Sequence, residues 1–105
     1  MQIIKTKTYI KDLQKKIKNK HKKKEQETIE ELMIQSKNMQ EVIINPLSRV
    51  YNIEKKQGNL KEIYTANINM KLRMYIKPIG EYPYKLEEIV EVELREIDDQ
   101  HYGEG

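Results

Sequence analysis

A chain of 105 residues has room for one domain with a single core of modest stability. With 37% hydrophobic and 35% charged residues but no Phe or Trp, that core is expected to be aliphatic, with Tyr at its margins. The absence of Cys excludes disulfides and thiolate sites.

No apolar run approaches the roughly 20 residues needed to span a bilayer. The opening MQIIKTKTYI lacks the apolar stretch of a secretion signal, so no membrane association is expected and the cytoplasm is the default compartment. The net charge of +3 cancels opposed blocks. Residues 1–24 carry +9, residues 25–31 carry −4, residues 32–80 carry +5 and residues 81–105 carry −7. Basic blocks attract polyanions, because phosphates neutralised by Lys and Arg release condensed counterions. The acidic end means that any nucleic-acid surface must be local.

In chain order, Gln2 to Thr6 reads as a first strand. Tyr9, Ile10, Leu13 and Ile17 form a helical stripe with Thr8 as its N-cap. The run KNKHKKK at 18–24 has no apolar residue and reads as a bend or junction. A second helix then buries Ile29, Leu32, Met33 and Ser36, with four Glu in its first turns, where the helix dipole favours anions. The spacing predicts helices over about 9–19 and 24–37. From there the period switches to two. Val42 to Ile44 is a short apolar run stopped by Asn45-Pro46, Arg49 to Lys55 reads as a strand, and residues 56–59 as a turn. Leu60 to Ile68 is a strand with Tyr64, Ala66 and Ile68 on one face, and Asn69-Met70 is a tight connection. In the next strand Leu72, Met74 and Ile76 point inward and Lys71, Arg73, Tyr75 and Lys77 outward. Residues 78–85 form a Pro- and Gly-containing loop, and Ile89 to Ile97 is a last strand with Val90, Val92 and Leu94 on its core face. This order implies an α+β fold: an N-terminal strand and helical hairpin packed on a three- to four-stranded antiparallel sheet, as one domain over 1–105.

The outward face of the middle strands gathers Lys71, Arg73 and Lys77 beside Tyr75, with Lys61, Thr65 and Asn67 at matching parity and Lys55 and Lys56 at the turn. Arg offers phosphate a planar fork, Lys a mobile charge, and Tyr a face for base stacking. The same pattern is what the solvent face of any antiparallel sheet displays, so parity alone leaves both readings open. The ending DDQHYG puts His101 beside Tyr102, with Asp98 and Asp99 near enough to orient it. A histidine there can transfer protons at neutral pH, or belong to a frayed end. His21 lies inside the lysine run and reads as solvated; the run itself reads equally as a nucleic-acid arm or as the outer face of a hairpin. Two His and no Cys give no metal spacing, and Gly-rich phosphate loops and nucleophile motifs are absent.

The stretch GNLKEIYTANINMKLRMYIKP resembles the strand-pair pattern of RelE/ParE-type toxins, especially the HigB-like plasmid-maintenance killer proteins. The preceding helical hairpin and the strand leading to an Asp-x-His ending fit that order. The resemblance implies the toxin of a type II toxin-antitoxin pair, an endoribonuclease that cleaves mRNA in the ribosome without a metal or cofactor. Its partner would be a helix-turn-helix antitoxin of the HigA kind. By that resemblance Lys55, Lys56 and Lys61 hold phosphate, Asn67 belongs to the same RNA-binding set with Lys71 as substitute for the strand arginine that Asn67 replaces, and Arg73 stabilises the transition state. His101 transfers protons, Asp99 orients it, and Tyr102 stacks or assists. Three departures stand out: Asn67 occupies a position where relatives carry Arg, Leu72 one where they carry an aromatic residue, and the ending reads Asp99-Gln100-His101 where theirs often reads Asp-Tyr-His, with the tyrosine displaced to 102. The alternatives are a ParE-like gyrase inhibitor without catalysis, or an inactive RNA-binding relative.

Overall fold

The computed structural model describes residues 1–99. The chain begins with strand β1 (Gln2–Lys5), followed by helices α1 (Lys7–Lys16), α2 (Lys20–Gln35), α3 (Met39–Ile44) and α4 (Leu47–Val50). Strands β2 (Glu54–Lys55), β3 (Tyr64–Asn67), β4 (Leu72–Pro78) and β5 (Glu91–Asp99) complete it. The five strands form one sheet in the order β1-β5-β4-β3-β2. Strands β2 to β5 run as the expected antiparallel meander, and β1 adds to its far side, parallel to β5.

Side-chain oxygens decide where the helices start. Thr6, rather than Thr8, accepts from the Tyr9 backbone N–H and caps α1. Asn19 caps α2 through the Lys22 N–H, so the junction shrinks to residues 17–19 and Lys20–Lys24 becomes the start of a helix. The first turn of α2 is therefore basic, not acidic, and the Glu residues lie further in. Its inner face is Ile29, Leu32 and Met33, with Ser36 at the C-cap, all buried.

Two segments expected to be extended are helical. Val42 to Ile44 belongs to α3, capped by Asn38 accepting from the Glu41 N–H. Arg49 starts no strand: residues 47–50 form α4, Asn52 turns the chain at φ 49°, and only Glu54–Lys55 pair with β3. A side-chain cap and a few backbone bonds outweigh the β preference of a Val-Ile-Ile triplet when packing favours a turn of helix. Leu60 likewise precedes β3; it closes a 3-10 turn that opens at Gly58, whose φ of 74° suits a residue without Cβ.

The core lies between the helices and one sheet face, where Met74, Ile76, Val92 and Leu94 are sealed from solvent. Leu72 and Ala66 join them as alternation predicts. Val90 does not; it is 59% exposed. The register slips between Tyr75 and Ile76, so that Ile76 pairs with Leu94 and Tyr75 with Glu96. Arg95 is the extra residue, which lets both Leu94 and Ile97 face inward. Tyr9 also departs from expectation. It is fully buried rather than marginal because its hydroxyl donates to Glu30 (2.7 Å), which also receives Gln26 and pairs with Lys5 (3.0 Å). Burial and the neighbouring carboxylate push the Tyr9 hydroxyl pKa up, so it remains a donor. This buried network ties β1, α1 and α2 together.

Candidate functional site

The open face of the sheet, opposite the core, is set by the polar parity of β3 and β4. Asn67 pairs with Arg73 and Thr65 with Tyr75; on the other side Arg73 pairs with Asp98, Tyr75 with Glu96 and Lys77 with Glu93. Directly paired residues share a face, so these side chains form rows across the sheet. Asp98 sits at the centre of one network. Its Oδ2 accepts from the Tyr75 hydroxyl (3.2 Å) and lies 3.5 Å from Arg73 Nη2. The Arg73 guanidinium also lies over the Tyr75 ring, 5.6 Å from its centroid, and Lys56 Nζ lies 5.2 Å from the same centroid. One aromatic ring thus organises two cations.

Arg73 Nε is buried and has no hydrogen-bond partner among the described residues, while the side chain as a whole is 28% exposed. The exposed part of the guanidinium offers planar N–H donors of the kind that suit a phosphate or carboxylate. Burial raises the Tyr75 hydroxyl pKa. Arg73 pulls it the other way, and Asp98, by charge and hydrogen bond, and Glu96 add to the rise. Tyr75 is therefore a hydroxyl donor at neutral pH, not a base.

The remaining cations do not join this cluster. Lys55 pairs with Tyr64, which pairs with Ile76, so its side chain leaves on the core side of the sheet at the outer edge. The next residue, Lys56, points the other way, as alternation requires; its N–H continues the ladder to the Ile63 carbonyl (2.8 Å). Lys55 and Lys61 instead approach Tyr82, with Nζ 5.7 and 5.6 Å from its ring centroid. Lys71 is exposed in the turn before β4, where its N–H donates to Asn69 Oδ1 (2.8 Å). Asn67 takes the end of β3, and its N–H donates to the Tyr51 carbonyl (2.6 Å). Asp99 ends β5 opposite Leu72. His101 and Tyr102 lie outside the described residues.

The structure thus brings Lys56 and Arg73 together, separates Lys55 and Lys61 from them, and leaves Lys71 at the periphery. Three participants were not legible as such in the sequence: Asp98 as partner of Arg73 and Tyr75, and Tyr82 and Tyr84 in the loop. Two tyrosines in a Pro-Gly loop were the only hint. Among the described residues no group of His, Asp and Glu is placed to hold a metal ion, and no helix is long and apolar enough to cross a membrane.

No protein-family model and no curated protein matches the chain. Solved structures do. YafQ from E. coli strain BL21(DE3) superposes with a TM-score of 0.59 at 19% identity over 93% of this chain and 91% of YafQ. A YoeB/ParE toxin from Agrobacterium tumefaciens gives 0.61 at 10% identity over 96% of this chain and 100% of the toxin. A chain of the E. coli DinJ–YafQ toxin-antitoxin complex gives 0.54 at 19% identity over 92% of this chain and 89% of that one. At these identities the likeness is one of fold: the chain adopts the RelE/ParE-type toxin fold that its strand pair resembles in sequence.

Proposed function

We propose that the chain is the toxin of a type II toxin-antitoxin pair, nearest in kind to the HigB-like proteins, and that it acts as a ribosome-dependent mRNA endoribonuclease. The single observation that carries this reading is Arg73, partly exposed and stacked on Tyr75 beside Lys56, on the open face of a toxin-like fold. In the proposed step the RNA 2′-oxygen attacks the adjacent phosphorus and the bond to the 5′-oxygen breaks. The 2′-hydroxyl proton passes to His101 acting as base, and water protonates the departing 5′-oxygen, the resulting hydroxide taking the proton back from His101. The products are a cyclic phosphate and a free 5′-hydroxyl. Arg73 stabilises the charge that develops on the non-bridging oxygens, with Lys56 beside it. Lys55, Lys61 and Lys71 hold flanking phosphates, Asn67 lines the track, Asp99 orients His101 and Tyr102 stacks on a base. The step draws on positioning, charge and proton transfer, all of which side chains supply.

The partner in this proposal is a helix-turn-helix antitoxin of the HigA kind; a short adjacent open reading frame encoding one supports the pairing. Induced expression tests the activity. Translation should stop and mapped mRNA ends should cluster at discrete sites, and Arg73→Ala and His101→Ala should each abolish both effects. Toxicity that survives both substitutions overturns the site. The fold shared with a YoeB/ParE toxin keeps one other reading in play, inhibition of gyrase. Arrest with intact mRNA and damaged DNA would select it.

A further inference from the structure

The loop between β4 and β5 does more than connect them. Tyr84 donates from its hydroxyl to the Glu62 carbonyl (2.8 Å), which fastens the loop to the segment leading into β3. Tyr82 packs edge-on against Tyr84, with centroids 5.2 Å apart and planes at 89°. Its ring is thereby held at the sheet edge, half-buried, with Lys55 and Lys61 each approaching it through Nζ. Lys55 also acts on Tyr64 beneath, where it lowers a pKa that burial raises. This second cation–aromatic cluster lies around the β2 edge from the first, because Lys55 and Lys56 leave the chain on opposite faces. Strand β2 is only two residues long, so the edge between the clusters is narrow.

We propose that Tyr82, with Lys55 and Lys61, forms a second subsite for single-stranded RNA, and that a strand held at Arg73 and Lys56 continues around the β2 edge to reach it. This rests on the RNA reading above and extends it to residues of the 79–85 loop. Each lysine rests on the ring through a cation–π contact and has a flexible four-carbon stem. A base stacking on Tyr82 displaces the ammonium groups sideways onto the phosphates that flank it. The three parts then perform the functions a single-strand site needs: a stacking face and two phosphate contacts.

The test measures binding of an unstructured RNA of about 12 nucleotides to the full chain carrying Arg73→Ala, without ribosomes, so that affinity is read without turnover. Lys55→Gln with Lys61→Gln should lower the slope of log affinity against log salt by about 1.4, since each phosphate contact on a single strand contributes about 0.7. Tyr82→Ala should weaken binding at least about fivefold at fixed salt, and Tyr82→Phe should restore it, because stacking needs the ring and not the hydroxyl. Both lysines are exposed, so their substitution leaves the fold intact even if Tyr82→Ala does not. An unchanged salt slope, no detectable binding, or a duplex of equal length binding as tightly with the same response to Tyr82→Ala overturns the subsite. Failure of the toxin reading would show elsewhere, as expression without growth arrest or mRNA cleavage.

Discussion

Arg73→Ala separates a structural role from a chemical one. Arg73 pairs with Asp98 at 3.5 Å with side chains 28% and 39% exposed. Pairs in that setting are worth roughly 0.2–1 kcal/mol after solvent screening. Its contact with Tyr75 adds about 0.5–1 kcal/mol. The fold should therefore lose no more than about 2 kcal/mol. A donor aimed at charge that develops in a transition state is worth about 10²–10³ in rate, or roughly 2.7–4 kcal/mol. Arg73→Lys keeps the charge without the planar fork and should fall between wild type and Ala. Urea denaturation gives the first quantity, and primer extension on mRNA from purified translating ribosomes gives the second. A folding cost above about 3 kcal/mol would mark Arg73 as structural. A natively folded Arg73→Ala variant within about tenfold of wild-type cleavage would refute the assignment.

Glu30→Ala leaves the buried Tyr9 hydroxyl without an acceptor and Lys5 without a counter-charge, and should cost about 3–5 kcal/mol in urea denaturation, against about 1–2 for Tyr9→Phe. Met74→Ala, at a site fully closed from solvent behind Arg73 and Tyr75, should cost about 2–5 kcal/mol and abolish activity only by unfolding, so residual folded protein cleaves normally. Tyr84 gives a pH signature: burial, with help from Glu62, Tyr64 and Tyr82, pushes its pKa from 10 up to about 12. The folded state then keeps a proton that the unfolded chain releases, so Tyr84's contribution is complete below pH 10 and is lost between pH 10 and about 12. Denaturation midpoints measured up that range should fall less steeply in Tyr84→Phe.

Alternation made the pair β3–β4 legible, because the buried set Tyr64, Ala66, Leu72, Met74 and Ile76 repeats every second residue on strands covered on one face. The stripe Ile29, Leu32, Met33 was legible for the corresponding helical reason. Helices α3 and α4, at six and four residues, are too short to display a 3.6 period, so the β-branched composition of Val42 to Ile44 pointed the wrong way. The bulge at Arg95 is a property of two strands in register, which is why Ile97 turns inward against simple alternation, whereas Val90 is exposed because it precedes β5. At the site, parity put Arg73, Tyr75 and Lys77 on one face, but it could not assign Lys55 and Lys56 to opposite sides without knowing where β2 pairs. Nor did local sequence carry the return of Tyr82 to Lys55 and Lys61, a contact made by chain segments more than 20 residues apart.

The balance of charge on the open face bears on where RNA can lie. Strand β4 presents Arg73, Tyr75 and Lys77, and its β5 neighbours in register are Asp98, Glu96 and Glu93. A phosphate entering over β4 and β5 would meet three carboxylates. On the other side, β3 offers Thr65 and Asn67, which carry no charge, and beyond it β2 adds one carboxylate, Glu54 in register with Thr65, while Lys56 reaches back to Tyr75. The favourable path therefore runs from Arg73 over β3 toward β2, not toward β5. Asn67 lies along that path as a neutral floor, so on the proposed reading Arg73 and Lys56 carry the greater share of phosphate binding. The same asymmetry accounts for a modest net charge of +3 on a protein proposed to grip a polyanion. The acidic residues of 91–99 are built into the sheet as β5, where Asp98 pairs with Arg73, and on the proposed reading their charge disfavours RNA on that side. The path they leave open is the one that ends at the β2 edge, beside Tyr82.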